Sequence, residues 1–140
     1  ERVRNYRLRI SGPLLDRIDM HVEVPAVPRE LLLGPPPATS DTSAVVRARV
    51  IAARARQHAR AGVTNSMLGN KQVEEMCRLD DAARALIDQA MARLRLSARA
   101  YHRILKVART IADLAGSAAV SAAHVAEAVQ YRSLDRQPPG

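Results

Sequence analysis

The residues best placed for chemistry lie at the start of a predicted helix, where an arginine occupies a position that usually favours acids. Ser97 is the predicted N-cap, and Arg99 follows in the first turn, where the helix dipole is positive. A cation there is mildly unfavourable unless an anion joins it, and a helix start with an arginine is a phosphate-binding arrangement. Arg99 is therefore a candidate phosphate ligand. The alternative is a solvated arginine with a small energetic penalty.

A second charged cluster lies near the beginning of the chain. Gly12-Pro13 indicates a turn, and the cluster Asp16-Arg17-Ile18-Asp19 follows it. Residues 20–24 then alternate apolar and polar side chains, which predicts a half-buried strand. Two carboxylates and an arginine between a turn and a strand are unusual for a purely structural element. The alternative is an exposed corner held by salt bridges, which are common and weak at protein surfaces.

Five segments have the pattern of amphipathic helices that could position these residues. Their predicted spans are 41–61, 71–79, from Asp80 or Asp81 to about 94, 97–116 and 120–131. Their predicted caps, in the same order, are Asp41, Thr42 or Ser43; Asn70; Asp80 or Asp81; Ser97; and Ser121. Gly62 and Gly116 are the predicted stops of the first and fourth helices.

The fourth predicted helix divides most clearly into two faces. Its apolar stripe consists of Ala100, Ile104, Val107, Ala108, Ile111 and Leu114. Its polar face consists of Arg99, His102, Arg103, Lys106, Arg109 and Asp113. We therefore expect the first set in a core and the second set in solvent.

The first predicted helix has two apolar faces, which indicates either packing on both sides or an interface on one side. Between these faces run two seams of arginines: Arg47 and Arg54 on one, and Arg49, Arg56 and Arg60 on the other. We interpret the seams as solvated, and the alternative is a track for phosphates.

The composition favours an all-α protein, a bundle of four to five helices with an extended segment in front. The chain has no Phe or Trp and three Tyr, so its core must be built from small aliphatic residues.

The net charge of +8 indicates a polyanionic partner. The single cysteine, Cys77, predicts a buried apolar residue in a reducing cytoplasm, and no apolar run approaches a membrane span. No histidine pairs with a second ligand at metal spacing, so we expect no metal site.

The expected organisation has four parts. Residues 1–24 form an extended remnant of an αβ core, 25–40 a proline-rich linker, 41–133 a helical domain and 134–140 a frayed tail. We expect residues 20–24 to be disordered or to pair with another copy of the chain, because a lone strand has no partner. The sequence contains no G-x-x-x-x-G-K-[ST] phosphate loop.

Two stretches resemble AAA+ ATPases of the magnesium-chelatase-like group, most closely the ComM type. SGPLLDRIDMHVEV, residues 11–24, resembles the segment that contains the arginine finger, which corresponds to Arg17. LSARAYHRILKVARTIADLAG, residues 96–116, resembles the sensor-2 helix, whose arginine reads the γ-phosphate of ATP and corresponds to Arg99. Arg103, one turn later, is the second candidate for that role.

The resemblance implies the end of the ATPase core followed by its helical lid. The full-length protein would be a homo-oligomeric ring, expected to be a hexamer, that uses ATP and Mg²⁺ and acts on DNA during uptake and recombination. One alternative is a magnesium chelatase ATPase subunit, which serves metal insertion into a porphyrin. A second alternative is a stand-alone basic helical module that binds DNA and has no role in ATP hydrolysis.

The purified 140-residue chain should show no ATP turnover above background and at most weak nucleotide affinity, because it contains no phosphate-binding loop. Phosphate release from ATP and Mg²⁺ measures the turnover, with a longer protein that includes such a loop as the positive control. Clear turnover by the isolated chain would show that the interpretation as part of an ATPase is wrong.

Overall fold

The computed structural model describes residue 14 and residues 17–29, 33–34 and 41–132. Residues 41–132 form a bundle of five α-helices and one short 3-10 turn, and the described residues contain no β-strand. The helices are α1 Ser43–Ala61, α2 Asn70–Met76, α3 Asp81–Leu94, α4 Ala98–Leu114 and α5 Ala122–Gln130, and the 3-10 turn is Asn65–Met67. The all-α bundle expected from the sequence is therefore confirmed.

Helix α4 is the central element of the bundle. It packs against α1, α2, the 3-10 turn and α5, while α3 packs on α5. The core is made of small and branched aliphatic side chains, as the absence of Phe and Trp predicts. Its buried members include Val73, Ala83, Ile87, Ile104, Leu105, Ala108, Ala112, Val120, Val125 and Ala128. Alanines on α4 allow its neighbours to approach closely, which gives this core its density.

Helix α1 ends as predicted but is packed much less than expected. Thr42 is the N-cap, and its hydroxyl accepts a hydrogen bond from the Val45 N–H at 3.3 Å. Gly62 stops the helix in the left-handed region, at φ 72°. Within α1 only Ala53 and Gln57 are buried, so packing on both faces is wrong for this helix. Its apolar residues in the first half, Val45, Val46, Val50 and Ile51, are exposed.

Helices α2 and α3 begin close to the predicted positions. Gly69 rather than Asn70 caps α2, because the Gln72 side chain accepts a hydrogen bond from the Gly69 N–H at 3.0 Å. Helix α2 is also shorter than predicted and ends at Met76. The Asp80 carboxylate caps α3 by accepting from the Ala83 N–H at 2.7 Å.

Helix α5 is capped in the predicted way. Ser121 is its N-cap, and His124 accepts a hydrogen bond from the Ser121 N–H at 3.1 Å. The flanking residues Val120 and Val125 are both buried, as expected for a hydrophobic staple.

Cys77 lies in the core, where its thiol donates to the Leu105 carbonyl at 3.5 Å. Burial raises the pKa of this thiol to about 11, against the opposing charges of Arg109 and Arg60. The thiol is therefore protonated at neutral pH, which confirms the prediction of a small buried residue.

A buried cluster of charges joins α1 to α4. The Asp113 carboxylate is fully buried and accepts two hydrogen bonds from Arg60, at 2.8 and 2.7 Å, and one from the Asn65 amide at 2.9 Å. Arg109, one turn earlier on α4, lies 3.1 Å from the same carboxylate. Burial alone raises the pKa of Asp113, but the hydrogen bonds from Arg60 and Asn65 and the charges of the two arginines outweigh it, so the pKa lies below its ordinary value.

This cluster corrects the predicted polar face of α4. Arg109 and Asp113 are 1% and 0% exposed, although the helical period places them with the solvated residues. Arg109 also donates to the carbonyls of Ala118 and Ser117, at 2.8 and 2.6 Å, and so holds the loop between α4 and α5. Burial is tolerated because each charge has a charged or polar partner. The arginine seam of α1 is likewise not wholly solvated, since Arg60 belongs to this cluster.

The segment before the bundle is not the strand that alternation predicts. Residues 20–28 have no regular secondary structure, and the burial pattern is reversed. His21 is buried, whereas Met20, Val22 and Val24 are exposed. The His21 N–H donates to the Tyr131 carbonyl at 2.7 Å, so the segment docks on the bundle of its own chain. The segment is therefore placed against the bundle rather than disordered, and pairing with another copy stays a prediction.

Several expectations fall outside the described residues. They concern the basic start of the chain at 1–10, the prolines at 35–37 and the tail at 134–140. None of the described helices combines the length and apolar character that crossing a membrane would require.

Replacing Asp113 with Asn should lower the free energy of unfolding by about 3–5 kcal/mol at pH 7, because it leaves two arginines without their buried carboxylate. A carboxylate with a lowered pKa stabilises the fold above its ordinary value of 3.8, and this contribution is lost as the pH falls through the folded-state pKa. The variant should therefore lose less stability than the parent on acidification below that value. Urea unfolding followed by circular dichroism measures both effects.

The matched control for this experiment is Asp41→Asn, which breaks the exposed ion pair with Arg49. It should cost no more than about 1 kcal/mol, as surface pairs do. Equal costs for the two variants would show that the buried cluster does not stabilise the bundle.

Candidate functional site

The start of α4 has the geometry predicted for it. Ser97 has extended backbone angles, φ −76° and ψ 162°, and its hydroxyl accepts a hydrogen bond from the Ala100 N–H at 3.1 Å. The first turn of α4 contains no acidic residue. Arg99 occupies the second position of the helix and is exposed, as the sequence predicts. The arginine therefore lies at the positive end of the helix dipole, within reach of solvent.

Arg17 is the other candidate, and it lies on a turn in front of the bundle. Its N–H donates to the Leu14 carbonyl at 3.0 Å, and its side chain is exposed. Leu15 and Asp16, which belong to the same motif, lie outside the described residues.

Arg103, the second candidate on α4, is engaged within the chain. Its guanidinium forms an ion pair with the carboxylate of Asp19, with side chains that are 25% and 54% exposed. Asp19 lies two residues after Arg17, and Arg103 lies one helical turn after Arg99. The ion pair therefore joins the segment of one candidate arginine to the helix of the other.

Two further contacts hold the same segment against the bundle. Arg132, just beyond the end of α5, is 1% exposed and donates to the Ile18 carbonyl. The His21 N–H donates to the Tyr131 carbonyl at 2.7 Å, and the His21 ring is buried. Residues 18, 19 and 21 are thus each bonded to the bundle. We call this set of contacts, made by Arg103, Tyr131 and Arg132 to residues 18–21, the docking junction.

The contacts of the docking junction differ in strength because they differ in burial. The Asp19–Arg103 pair is partly exposed and so contributes about 0.2–1 kcal/mol, in the range of surface pairs. A charged donor on a backbone carbonyl contributes more, about 1.5–3 kcal/mol, and the guanidinium of Arg132 is shielded from water. Arg132 therefore contributes more to holding the segment than the Asp19–Arg103 pair, which mainly orients the segment relative to α4.

The alternative prediction for residues 16–19, an exposed corner held by salt bridges, is partly confirmed by the docking junction. Asp19 does form an ion pair, but its partner is 84 residues away rather than within the corner. Sequence reasoning selected Arg103 for a different role, placed Asp19 in a charged cluster without identifying its partner, and missed the contacts of His21 and Arg132. No local signal marks these residues, since each contact joins positions that are far apart in the chain.

The histidines of the described residues have structural partners. His102 lies 2.9 Å from the Ala98 carbonyl and 3.0 Å from the Glu74 carboxylate, and His124 caps α5. Within the part of the chain that the structure describes, no three metal-ligating side chains lie close enough together to hold an ion.

Comparison with known proteins assigns both parts of the chain to one family. Residues 40–132 match the family model described as magnesium chelatase, subunit ChlI C-terminal, and residues 1–32 match that of magnesium chelatase, subunit ChlI. The competence protein ComM of Haemophilus influenzae is 44% identical over 97% of this chain and 26% of its own length. The chain belongs to the magnesium-chelatase-like ComM family.

Other relatives of this ComM-family chain are more distant in sequence but also align over more than nine-tenths of it. YifB of Escherichia coli is 39% identical over 97% of this chain, and Rv2897c of Mycobacterium tuberculosis is 33% identical over 92% of it. The chain spans only 26–27% of the length of these curated relatives. The resemblance expected from residues 11–24 and 96–116 is therefore confirmed at the level of the family.

Replacing Arg99 with Ala should change the free energy of unfolding of this ComM-family chain by no more than about 0.5 kcal/mol, because the side chain is exposed. Arg109→Ala is the contrasting variant on the same helix, and it should cost about 3–5 kcal/mol because Arg109 is buried beside Asp113. Urea unfolding at pH 7 measures both. A loss at Arg99 as large as that at Arg109 would show that Arg99 has a structural role.

Proposed function

We propose that this chain is the C-terminal part of an AAA+ ATPase that supplies two arginines for ATP hydrolysis in a homo-oligomeric ring, expected to be a hexamer. Arg17 is the arginine finger and acts on ATP held by a neighbouring subunit. Arg99 is the sensor-2 arginine. ATP and Mg²⁺ are bound by the remainder of the full-length protein, and the ring works on DNA during uptake and recombination.

The observation that supports this proposal best is the docking junction. Arg17 and Arg99 are separated by most of the chain, yet both are exposed, and the Asp19–Arg103 pair joins their segments. One subunit therefore presents two cationic side chains from a single structural unit. Exposed guanidinium groups suit phosphate ligands such as ATP, whether the ATP is held by the same subunit or by its neighbour.

The chemistry of phosphoryl transfer explains why arginines are needed. Negative charge spreads over the oxygens of the transferred group, and catalysis consists mainly of positioning and electrostatic stabilisation. An arginine finger can contribute about 10³- to 10⁵-fold in rate. Arg17, on a turn outside the bundle, suits a group that approaches ATP from outside the subunit that binds it.

Arg99 suits a ligand role better than Arg103 does. Arg99 lies in the first turn of α4, where the positive end of the helix dipole attracts an anion, whereas Arg103 lies one turn further along the helix. The guanidinium of Arg103 forms an ion pair with the carboxylate of Asp19. We therefore keep Arg99 as the sensor-2 residue and assign Arg103 no direct contact with ATP.

A role as a magnesium chelatase ATPase subunit, which serves metal insertion into a porphyrin, is the second candidate, because the matching family models are described by that name. The 44% identity with a competence protein favours the DNA-related role. A DNA-binding module without ATP hydrolysis is the third candidate, and the exposed arginines of α1, Arg47 and Arg54, favour it. The presence or absence of a phosphate loop earlier in the full-length protein separates this candidate from the other two.

In the full-length protein, Arg17→Ala should reduce ATP turnover by about 10³-fold or more while leaving ATP binding largely intact, because a finger acts on the transition state. Turnover is measured by phosphate release, and binding by titration with a fluorescent ATP analogue. Arg29→Ala is the matched control, since Arg29 is an exposed arginine on the same segment outside the motif.

Mixing experiments test whether the finger acts between subunits. Rings assembled from Arg17→Ala subunits and subunits with a defective phosphate loop should regain part of the activity, since some neighbouring pairs then hold one intact copy of each group. Normal turnover of Arg17→Ala rings would remove Arg17 from the mechanism.

A further inference from the structure

The residues that directly follow Arg17 are held in place by the bundle, while Arg17 itself is exposed. Arg132 bonds the carbonyl of Ile18, Arg103 bonds the carboxylate of Asp19, and the Tyr131 carbonyl accepts from the N–H of His21 at 2.7 Å. Three constraints within four residues fix the direction in which the backbone of this segment runs.

These constraints originate from two elements of the bundle. Arg103 lies on α4, one turn after Arg99, and residues 131–132 directly follow α5. Because α4 and α5 pack against each other over the core, they hold the segment from a common rigid support. The helix that carries Arg99 is therefore linked through Arg103 to the backbone beside Arg17.

We propose that Asp19, Arg103 and Arg132 are positioning residues that fix the arginine finger Arg17 relative to Arg99. This inference rests on the proposed roles of Arg17 and Arg99. In it, Arg103 binds Asp19 of its own chain and does not bind the nucleotide. Asp19 makes the contact specific, because its carboxylate accepts a hydrogen bond from the guanidinium of Arg103 and holds that side chain beside the segment. Arg132 supplies the buried anchor.

Charge reversal separates a positioning pair from a ligand. In the full-length protein, Asp19→Ala and Arg103→Ala should each lower kcat by about 5- to 100-fold, the range expected when a catalytic group is displaced by up to about 1 Å. The apparent affinity for a fluorescent ATP analogue should stay unchanged. The double variant Asp19→Arg with Arg103→Asp should restore most of kcat, because it re-forms the pair in the opposite sense.

Asp41→Asn is the control, since it breaks the exposed ion pair between Asp41, which precedes α1, and Arg49 on α1, and this pair is not part of the docking junction. Its kcat should equal that of the parent. If Arg103 instead bound the nucleotide, its loss would raise the Kd for the ATP analogue and the charge-reversed variant would stay inactive. Either of these results would overturn the proposal.

Hydrogen exchange gives a readout that does not depend on activity. The His21 amide is bonded to the Tyr131 carbonyl, so its exchange rate reports whether the segment is docked. Asp19→Ala and Arg132→Ala should accelerate exchange in residues 18–21, whereas Arg99→Ala should not. Unchanged protection in both docking variants would contradict the positioning role even if their activity fell.

The two proposals fail in different ways. Should Arg17→Ala retain normal turnover, the finger assignment fails whatever the docking variants do. Should Arg17→Ala be inactive while the Asp19 and Arg103 variants keep the parent kcat, the finger assignment stands and the positioning inference is wrong.

Discussion

The bundle depends on one carboxylate that has been removed from water. Asp113 is fully buried on the central helix, and its charge is tolerable only because Arg60, Arg109 and Asn65 surround it. Those partners come from α1, from α4 and from the 3-10 turn, and Arg109 also fixes the loop that leads to α5. The positions of these elements relative to one another are therefore set by the pairing of buried charges as well as by apolar packing. Since α4 and α5 hold the segment of Arg17, the same constraint reaches the docking junction.

Much of the fold could be predicted because its signals are local. Caps such as Ser97, Asp80 and Ser121 act on backbone groups within three residues, so a short stretch of sequence contains the whole interaction. The apolar period of α4 likewise depends only on neighbours along one helix. Arg99 could be placed correctly at an exposed helix start for the same reason, whereas its role and that of Arg17 came from resemblance to a family.

The features that sequence reasoning missed all join distant parts of the chain. Arg60 meets Asp113 across 53 residues, and Arg103 meets Asp19 across 84. A helical period sorts residues by polarity and therefore assigns every charge to solvent, which misplaces a charge that finds a partner on another element. The prediction of a strand at residues 20–24 was wrong for a related reason. Alternating polarity describes the fit of a segment to a sheet, whereas these residues lie against a helical bundle, which buries His21 and leaves the apolar residues exposed.

The position of Cys77 has a practical consequence. The chain has one thiol, it lies in the core against the Leu105 carbonyl, and burial keeps it protonated and unreactive. Reaction with an alkylating reagent therefore requires the centre of the bundle to open. The rate at which the Cys77 thiol is modified therefore measures how often α2 and α4 separate and the core opens. No engineered label is needed to compare that rate between this chain and its variants.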